Sequence, residues 1–206
     1  MPGRPGLLVE SVDVPPNRPG RPRDAARDEE ILAAVLRLLE HTSYPELTVG
    51  AVAREAGVGK PTLYLRWPGK AAVVADAVVR VLSSDPFPDR GDLRADLVGG
   101  LHDMIRLFTT TVAGRVLPGL VADLHDDPAL LTAFAERFFL PRRRSARAAL
   151  ERGIERGELA GDTDLELAVD LLVGPVYYRL LAGGAVVGIS PDGLVAAVLR
   201  AFAPAA

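Results

Sequence analysis

The stretch TVGAVAREAGVGKPTLYLRWPGK, residues 48–70, divides into two short helical segments joined by a glycine-rich turn. Thr48 is a residue type that caps a helix N-terminus, and Gly57 tolerates the positive φ that ends a helix. Pro61 suits the first turn of the next helix, which the pair Pro68-Gly69 stops. This spacing predicts a helix-turn-helix built from two helices of about two turns each.

The second helix of a helix-turn-helix enters the DNA major groove with its N-terminal residues nearest the base edges. In this arrangement Lys60 can reach guanine or phosphate, and Leu63 and Trp67 face inward. Two simpler roles stay open, since Pro61 can serve as a helix starter and Thr48 as a cap. The predicted DNA-contacting residues of this segment are Thr48, Lys60, Pro61, Thr62, Tyr64, Arg66 and Lys70.

Residues 48–70 resemble the DNA-binding domain of the tetracycline-repressor (TetR/AcrR) family. The family pattern is a threonine-capped helix, then Ala-Gly-Val-Ser, a short helix with Thr-Leu-Tyr, a His-Phe pair, and a lysine three residues on. Three positions depart from it: Gly59 replaces serine, Arg66 replaces histidine and Trp67 replaces phenylalanine. The resemblance covers about residues 24–82. It implies an all-helical, dimeric regulator whose C-terminal domain binds a small ligand.

An N-terminal arm precedes this segment. Residues 1–23 hold six prolines and show no apolar periodicity, which is typical of an extended or disordered arm. Within the arm, Gly20-Arg21-Pro22 resembles the core of an AT-hook, in which an extended arginine enters a narrow minor groove. We therefore expect Arg21 to contact DNA, with a flexible tail that makes no contact as the equal alternative.

Helical periodicity continues beyond the helix-turn-helix and predicts an all-α fold. We expect helices at roughly 93–112, 116–124, 128–156, 163–182 and 191–203, with a break at Gly114. The segment Ser83 to Asp92 is rich in Pro, Asp and Ser and predicts a domain boundary. The predicted organisation is an arm at 1–23, a DNA-binding domain at 24–82 and a C-terminal domain at 86–206.

Composition narrows the function classes. The chain of 206 residues has no cysteine, which excludes disulfides, thiolate zinc sites and cysteine nucleophiles. Its net charge is −3, with +1 on residues 1–70 and −4 on the rest. DNA affinity must therefore come from a local face present in two copies, not from bulk charge. No cofactor is predicted, and the absence of a basic-then-apolar signal pattern predicts a cytoplasmic protein.

The apolar run Leu171 to Ile189 raises the question of a membrane span. Arg179 at its centre, Pro175 and the pair Gly183-Gly184 argue against one, so we expect a buried dimer interface and no membrane partner. Two helices from each chain would form a four-helix bundle. The predicted interface residues are Leu165, Ala168, Val169, Leu172, Val176, Leu180, Leu194, Ala197, Val198 and Ala201.

The C-terminal domain contains more helix than DNA binding requires, and the resemblance implies that part of it senses a ligand. An apolar cavity with a few polar groups is the usual small-molecule site, although plain core packing is the commoner role of each residue taken singly. The predicted lining residues are Met104, Phe108, Leu117, Leu120, Leu124, Phe134, Phe138 and Tyr177. An unknown effector bound there would favour a conformation that no longer fits a palindromic operator in double-stranded DNA.

Two other function classes compete. His41, His102-Asp103 and Asp126 imitate, in order alone, the metal ligands of phosphohydrolases, but no phosphate loop, serine elbow or zinc spacing accompanies them. A helical adaptor that binds no DNA is the other class. The sequence predicts a transcriptional regulator and no enzyme.

Overall fold

The computed structural model describes residues 25–81, 86–183 and 186–204. Within these ranges the chain forms nine α-helices, one short 3-10 helix at Val186–Gly188 and no strand, which confirms the all-α prediction. The helices are α1 Ala25–His41, α2 Val49–Glu55, α3 Lys60–Tyr64, α4 Lys70–Val81, α5 Leu93–Thr110, α6 Val112–Leu124, α7 Pro128–Glu155, α8 Leu165–Leu181 and α9 Pro191–Ala201.

Helices α1 to α4 form a small N-terminal head. The apolar stripe of α1 packs against α4, and the short α2 and α3 close the head from one side. Burial of these side chains stabilises the head because each one removes apolar surface from water. The head core consists of Ile31, Val35, Leu39, Leu47, Val52, Leu63, Trp67, Val73, Val74 and Val78.

Helices α5 to α9 form a larger body. The long α7 packs against α5 and α8, while α9 lies against α5 and α8. Asp92, Asp127, Asp164 and Ser190 cap α5, α7, α8 and α9, each accepting a hydrogen bond from a backbone N–H of the first turn. The predicted domain boundary at Ser83 to Asp92 lies partly outside the described residues, which leave out residues 82–85.

The bend between α5 and α6 differs from its prediction. The break lies at Thr111, which caps α6, and Gly114 lies inside α6. A Cβ on Gly114 would stand 1.8 Å from the carbonyl oxygen of Phe108. Glycine is needed at position 114 because the end of α5 lies too close for a side chain. The helix does not stop there.

Helix α8 is apolar on nearly all sides, and its burial corrects the predicted dimer face. Ala168, Val169, Leu172, Val176 and Leu180 are at most 6% exposed inside the single chain, as is Val198 of α9. These side chains have no surface to offer a second chain. Leu165 and Leu194 are partly buried, while Ala197 and Ala201 are exposed. The opposite face of α8 carries its exposed large apolar residues, which are Leu167, Leu171, Tyr178 and Leu181.

The apolar run Leu171 to Ile189, which raised the question of a membrane span, is helical in α8 only as far as Leu181. Gly183 follows with a φ of +74°. No single helix of the described ranges is long and apolar enough to cross a membrane. Helices α5 and α6 reach that length and composition together, but they are bent by 83°.

Candidate nucleic-acid interface and internal cavity

The helix-turn-helix forms as the residues predict. The Thr48 hydroxyl caps α2 by accepting from the N–H of Ala51 at 3.1 Å. Gly57 ends the helix with a φ of +63°, a conformation that L side chains rarely adopt. Gly59 stands at the N-cap of α3 without a side-chain bond, and Pro61 occupies the first turn. Thr48 thus acts as a cap in this structure, and its phosphate contact stays a prediction.

The orientation of α3 separates an outer from an inner face. Lys60, Pro61 and Tyr64 are exposed, Tyr64 by 53%, and Thr62 is partly exposed. Leu63 and Trp67 are 1% and 6% exposed and belong to the head core. Of the residues predicted to touch DNA, the four that lie on α3 therefore share its solvent side.

Lys60 also lies against the start of α2. A Cβ on Gly50 would stand 2.9 Å from Cε and 3.2 Å from Nζ of Lys60. Glycine at position 50 leaves room for this lysine, because a larger side chain would push it away. The ammonium group therefore lies beside the first turn of α2, where backbone N–H groups also favour an anion.

Two of the cations predicted to contact phosphate are bound to other parts of the protein. Arg66 forms an ion pair with Asp28 and donates to the carbonyl oxygen of Thr62 at 3.2 Å. Lys70 lies 3.7 Å from a carboxylate oxygen of Asp123 and 4.2 Å from the ring centroid of Tyr44. Their side chains are 19% and 26% exposed. A phosphate contact by either one would require sharing or exchanging these partners. Arg21 lies outside the described residues.

Helix α6 connects the head to the body. The Tyr44 hydroxyl donates to Asp123 at 2.7 Å, and Arg115 donates to the carbonyl oxygen of Leu39 at 2.9 Å. A Cβ on Gly119 would stand 2.7 Å from the Tyr44 ring, so the ring lies directly on the α6 backbone. Burial and the bond to Asp123 raise the pKa of Tyr44 well above its usual range.

A second connection runs through Asp76 of α4. The indole N–H of Trp67 donates to Asp76 at 2.7 Å, and Arg137 of α7 forms an ion pair with the same carboxylate. The end of the helix-turn-helix is thereby linked through α4 to the longest helix of the body.

The body contains a cavity of about 110 Å³ between α5, α7 and α8. Its wall is mostly apolar and includes one buried cation. The lining residues among those described are Phe87, Gly100, Asp103, Met104, Arg106, Leu107, Thr110, Thr111, Arg142, Ser145 and Val173. Of the residues predicted to line an effector site, Met104 lines this cavity. Phe108 instead lines a groove of about 500 Å³ between α1 and the bend at Thr111.

The other predicted lining residues do not line this cavity and lie in or against the hydrophobic core. Leu117, Leu120 and Leu124 are fully buried on α6, and Phe134 stacks on Phe138 at a centroid distance of 5.1 Å. The Tyr177 ring meets those of Phe108 and Phe139 at 5.8 and 5.3 Å. Its hydroxyl is buried without a hydrogen-bond partner among the described residues, and burial raises the pKa of Tyr177 to about 12.

The sequence interpretation missed Arg142. Its side chain is 6% exposed, donates to the carbonyl oxygen of Phe138 at 2.6 Å and lies 4.1 Å above the Phe138 ring. Burial lowers the pKa of its guanidinium below the usual range. A signal was present, because Phe134, Phe138 and Arg142 recur every four residues and so share one face of α7.

Comparison with known proteins places these features in a family. The model of the tetR family of bacterial regulatory proteins matches residues 31–77, and that of the tetracyclin repressor-like C-terminal domain matches residues 87–200. The chain belongs to the TetR family. Its helix-turn-helix and helical body are the two domains of a TetR-family transcriptional regulator.

Individual TetR-family proteins agree over most of the chain. The HTH-type transcriptional regulator YdeS of Bacillus subtilis is 38% identical over 80% of this chain and 83% of its own. A DNA-binding transcriptional repressor TetR of Mycobacteroides abscessus is 29% identical over 79% of this chain and 86% of its own. The crystal structure of the TetR family transcription regulator SCO0332 superposes with a TM-score of 0.68 at 35% identity, covering 86% of this chain and 99% of that one.

Neither competing function class finds support. The TetR family is a family of transcriptional regulators, not of enzymes. Within the described ranges, His, Asp and Glu side chains form no group of three that could hold a metal ion. The order of His41, His102 and Asp126 therefore does not correspond to a metal centre in this part of the structure. An adaptor that binds no DNA would not account for the match of residues 31–77 to the DNA-binding part of the TetR family.

Proposed function

We propose that this TetR-family regulator is a homodimeric repressor that binds a palindromic operator through α3 and leaves it when a small molecule binds the body. The observation that carries the proposal is the difference in exposure between the two faces of α3. Lys60, Pro61 and Tyr64 lie on its open side, while Leu63 and Trp67 hold it to the head. A short helix fixed from behind and exposed in front is what major-groove reading requires.

The side chains on α3 divide into reading and positioning roles. Lys60 can donate to guanine O6 and N7 or to a phosphate, and Pro61 and Thr62 can meet a thymine methyl group. Tyr64 reaches the sugar–phosphate backbone and fixes register there. Thr48, Arg66 and Lys70 are proposed phosphate contacts, the last two by sharing their present carboxylate partners. Arg21 of the arm is proposed to enter the adjacent minor groove.

The exposed face of α8 is the proposed dimer interface. Leu167, Leu171, Tyr178 and Leu181 are 41–74% exposed and recur at helical spacing along α8. A second copy would cover this apolar stripe by a symmetric contact, joined by Ala197 and Ala201 of α9. Half-sites one helical turn apart, about 34–36 Å, would then each receive one α3.

Release from DNA is proposed to pass through α6. An effector in the body would shift α6, and the head would follow because Tyr44, Lys70 and Leu39 are bonded to Asp123 and Arg115. The repressing direction is supported by the relative from Mycobacteroides abscessus, whose name is that of a repressor. A ligand can shift the head only by as much as it prefers one conformation over the other.

Binding to the promoter region beside the protein's own gene tests the proposal. We expect a footprint with two-fold symmetry. Lys60→Ala should bind more weakly, and the slope of its log affinity against log salt concentration should fall by the amount of about one phosphate contact. Arg144→Ala is the matched control, since it removes one positive charge from an exposed position on α7. Equal loss in both variants would assign the effect to net charge and remove Lys60 from the interface.

A further inference from the structure

Gly50 is the second residue of α2, and its backbone conformation does not require glycine. Within the described residues, the glycines with a positive φ are Gly57, Gly91, Gly157 and Gly183. Inside a helix, glycine is less favourable than alanine because it loses more conformational freedom on folding. The stability of α2 alone would therefore favour alanine at position 50, so the glycine has another reason.

The space that a side chain at position 50 would fill is occupied by Lys60. A Cβ on Gly50 would stand 2.9 Å from Cε of Lys60 and 3.2 Å from its Nζ, and the next nearest atom is the Thr48 hydroxyl oxygen at 3.9 Å. Both close contacts are to the flexible end of one side chain. A methyl group at position 50 is therefore compatible with the fold, but only when the lysine moves away.

The Lys60 ammonium forms no ion pair within the described ranges, whereas Arg66 and Lys70 are paired with Asp28 and Asp123. A cation without a carboxylate partner keeps its full attraction for the phosphates of DNA. Lys60 is also exposed, so it can meet DNA without giving up an existing bond.

The direction of the Lys60 side chain favours a phosphate over a base edge. In helix-turn-helix proteins the first helix crosses the DNA backbone, and the second lies in the major groove. The Lys60 side chain starts on α3 and ends against α2, beside Gly50 and near the Thr48 hydroxyl. Its ammonium therefore lies next to the helix of the pair that meets the sugar–phosphate backbone.

We propose that Gly50 is a positioning residue for DNA binding. Its missing side chain allows the Lys60 ammonium to lie against α2, where it contacts a phosphate of the operator. This inference rests on the proposed function and selects one of the two contacts that Lys60 can make. It gives Gly50 a part in the affinity for DNA without any contact between the glycine and DNA.

A double-mutant cycle on the full chain tests the positioning. Gly50→Ala, Lys60→Ala and the double variant are compared with the unmodified protein by fluorescence anisotropy on the operator that the footprint defines. We expect Gly50→Ala alone to weaken binding about fivefold, and to change it by less than about twofold when position 60 is already alanine. Lys60→Ala is the matched background, because the added methyl group then has no lysine to displace.

Thermal unfolding of the same variants separates positioning from folding. Gly50→Ala is expected to keep or raise the Tm, because alanine is the better helix residue. A lower Tm would assign the glycine to the fold of α2 and overturn the proposal. Equal loss of affinity in both backgrounds would also overturn it, since the methyl group would then obstruct the DNA itself.

Operators with single base-pair changes decide between a phosphate and a base. Loss of a phosphate contact lowers the affinity for every operator by the same factor and reduces the slope of log affinity against log salt concentration. Loss of a base contact instead changes the preference at one position. We expect the uniform loss for both Gly50→Ala and Lys60→Ala. A changed base preference would overturn the phosphate contact.

Operator binding by the unmodified protein separates this inference from the proposed function. A protein that binds its operator with an affinity unaffected by Gly50→Ala contradicts the positioning role alone. A protein that binds no DNA contradicts the proposed function, and the role of Gly50 with it.

Discussion

The hydroxyl of Tyr44 donates a 2.7 Å hydrogen bond to Asp123, joining the loop before α2 to the end of α6. Lys70 strengthens the contact, because its ammonium lies between the Tyr44 ring at 4.2 Å and the Asp123 carboxylate at 3.7 Å. The three residues come from the two sides of the junction between head and body through which release from DNA is proposed to pass. Their interaction can be measured without knowing the effector.

Tyr44→Phe and Asp123→Ala should each lower the free energy of unfolding by about 1–2 kcal/mol, because each removes one partner of a partly buried, charge-assisted bond. Together they should cost less than the sum, since the second change removes a bond already broken. Urea unfolding of the four proteins measures this coupling. Tyr178→Phe, at a tyrosine that is 74% exposed, is the control and should change stability by less than about 0.5 kcal/mol. Strict additivity would show that the bond contributes nothing in solution.

High pH should destabilise the protein through its tyrosines. The pKa values of Tyr44 and Tyr177 are raised by burial above the ordinary value of about 10, so the unfolded chain loses their protons first. The folded state then binds more protons than the unfolded state, and stability, fully present below about pH 10, falls as pH rises. Thermal unfolding between neutral and alkaline pH measures the slope, which Tyr44→Phe should reduce and Tyr178→Phe should not. A slope unaffected by Tyr44→Phe would contradict the raised pKa.

Local signals allowed most helices to be predicted from the sequence. The Thr48 cap, Gly57 and the proline of α3 act within one or two turns, so residues 48–70 contain what defines their fold. The burial of α8 could not be predicted in this way. Its apolar residues surround the helix, and the packing of α5, α6 and α7 decides which of them face the protein's own core.

Arg142 illustrates the same limit at the candidate cavity. It stands in the run Arg142-Arg143-Arg144, whose members carry the same charge. Arg143 binds Glu166 at 2.8 Å and Arg144 is exposed, while Arg142 enters the core. The difference comes from the rotation of α7 against the body, for which the spacing of Phe134 and Phe138 is the available sequence signal.

Tyr64→Ala should weaken operator binding about tenfold without changing dimer formation, because Tyr64 is 53% exposed on the outer side of α3. Fluorescence anisotropy with operator DNA measures the affinity, and light scattering measures the oligomeric state. Leu63→Ala is the contrasting variant. It creates a cavity in the head core and should lower stability by about 2–4 kcal/mol. Unfolding of the Tyr64 variant would show that this side chain supports the head instead of contacting DNA.

Deletion of residues 1–23 should weaken operator binding at matched salt, since the arm carries Arg21 and three further arginines. Arg21→Ala in the full chain separates a specific contact from general charge, and Arg4→Ala is the matched control near the chain start. A minor-groove contact predicts that the Arg21 change has the larger effect. Unchanged affinity after the deletion would assign the arm no part in binding.

The exposed and buried faces of α8 make opposite predictions for dimer formation. Leu171 is 43% exposed and its neighbour Leu172 is fully buried. Leu171→Glu should produce a folded monomer, because a charge in the proposed interface opposes its symmetric copy. Leu172→Ala should remain dimeric while losing about 2–4 kcal/mol of stability to a core cavity.

Light scattering over a range of protein concentrations, with chemical unfolding of the same samples, distinguishes these two outcomes. Ala133→Glu, at an exposed site on α7, controls for the added charge and should leave the dimer unchanged. If Leu171→Glu stays dimeric, the chains associate through another surface. The spacing of the two α3 helices on DNA must then be derived from that surface, since the half-site separation is set by the dimer geometry.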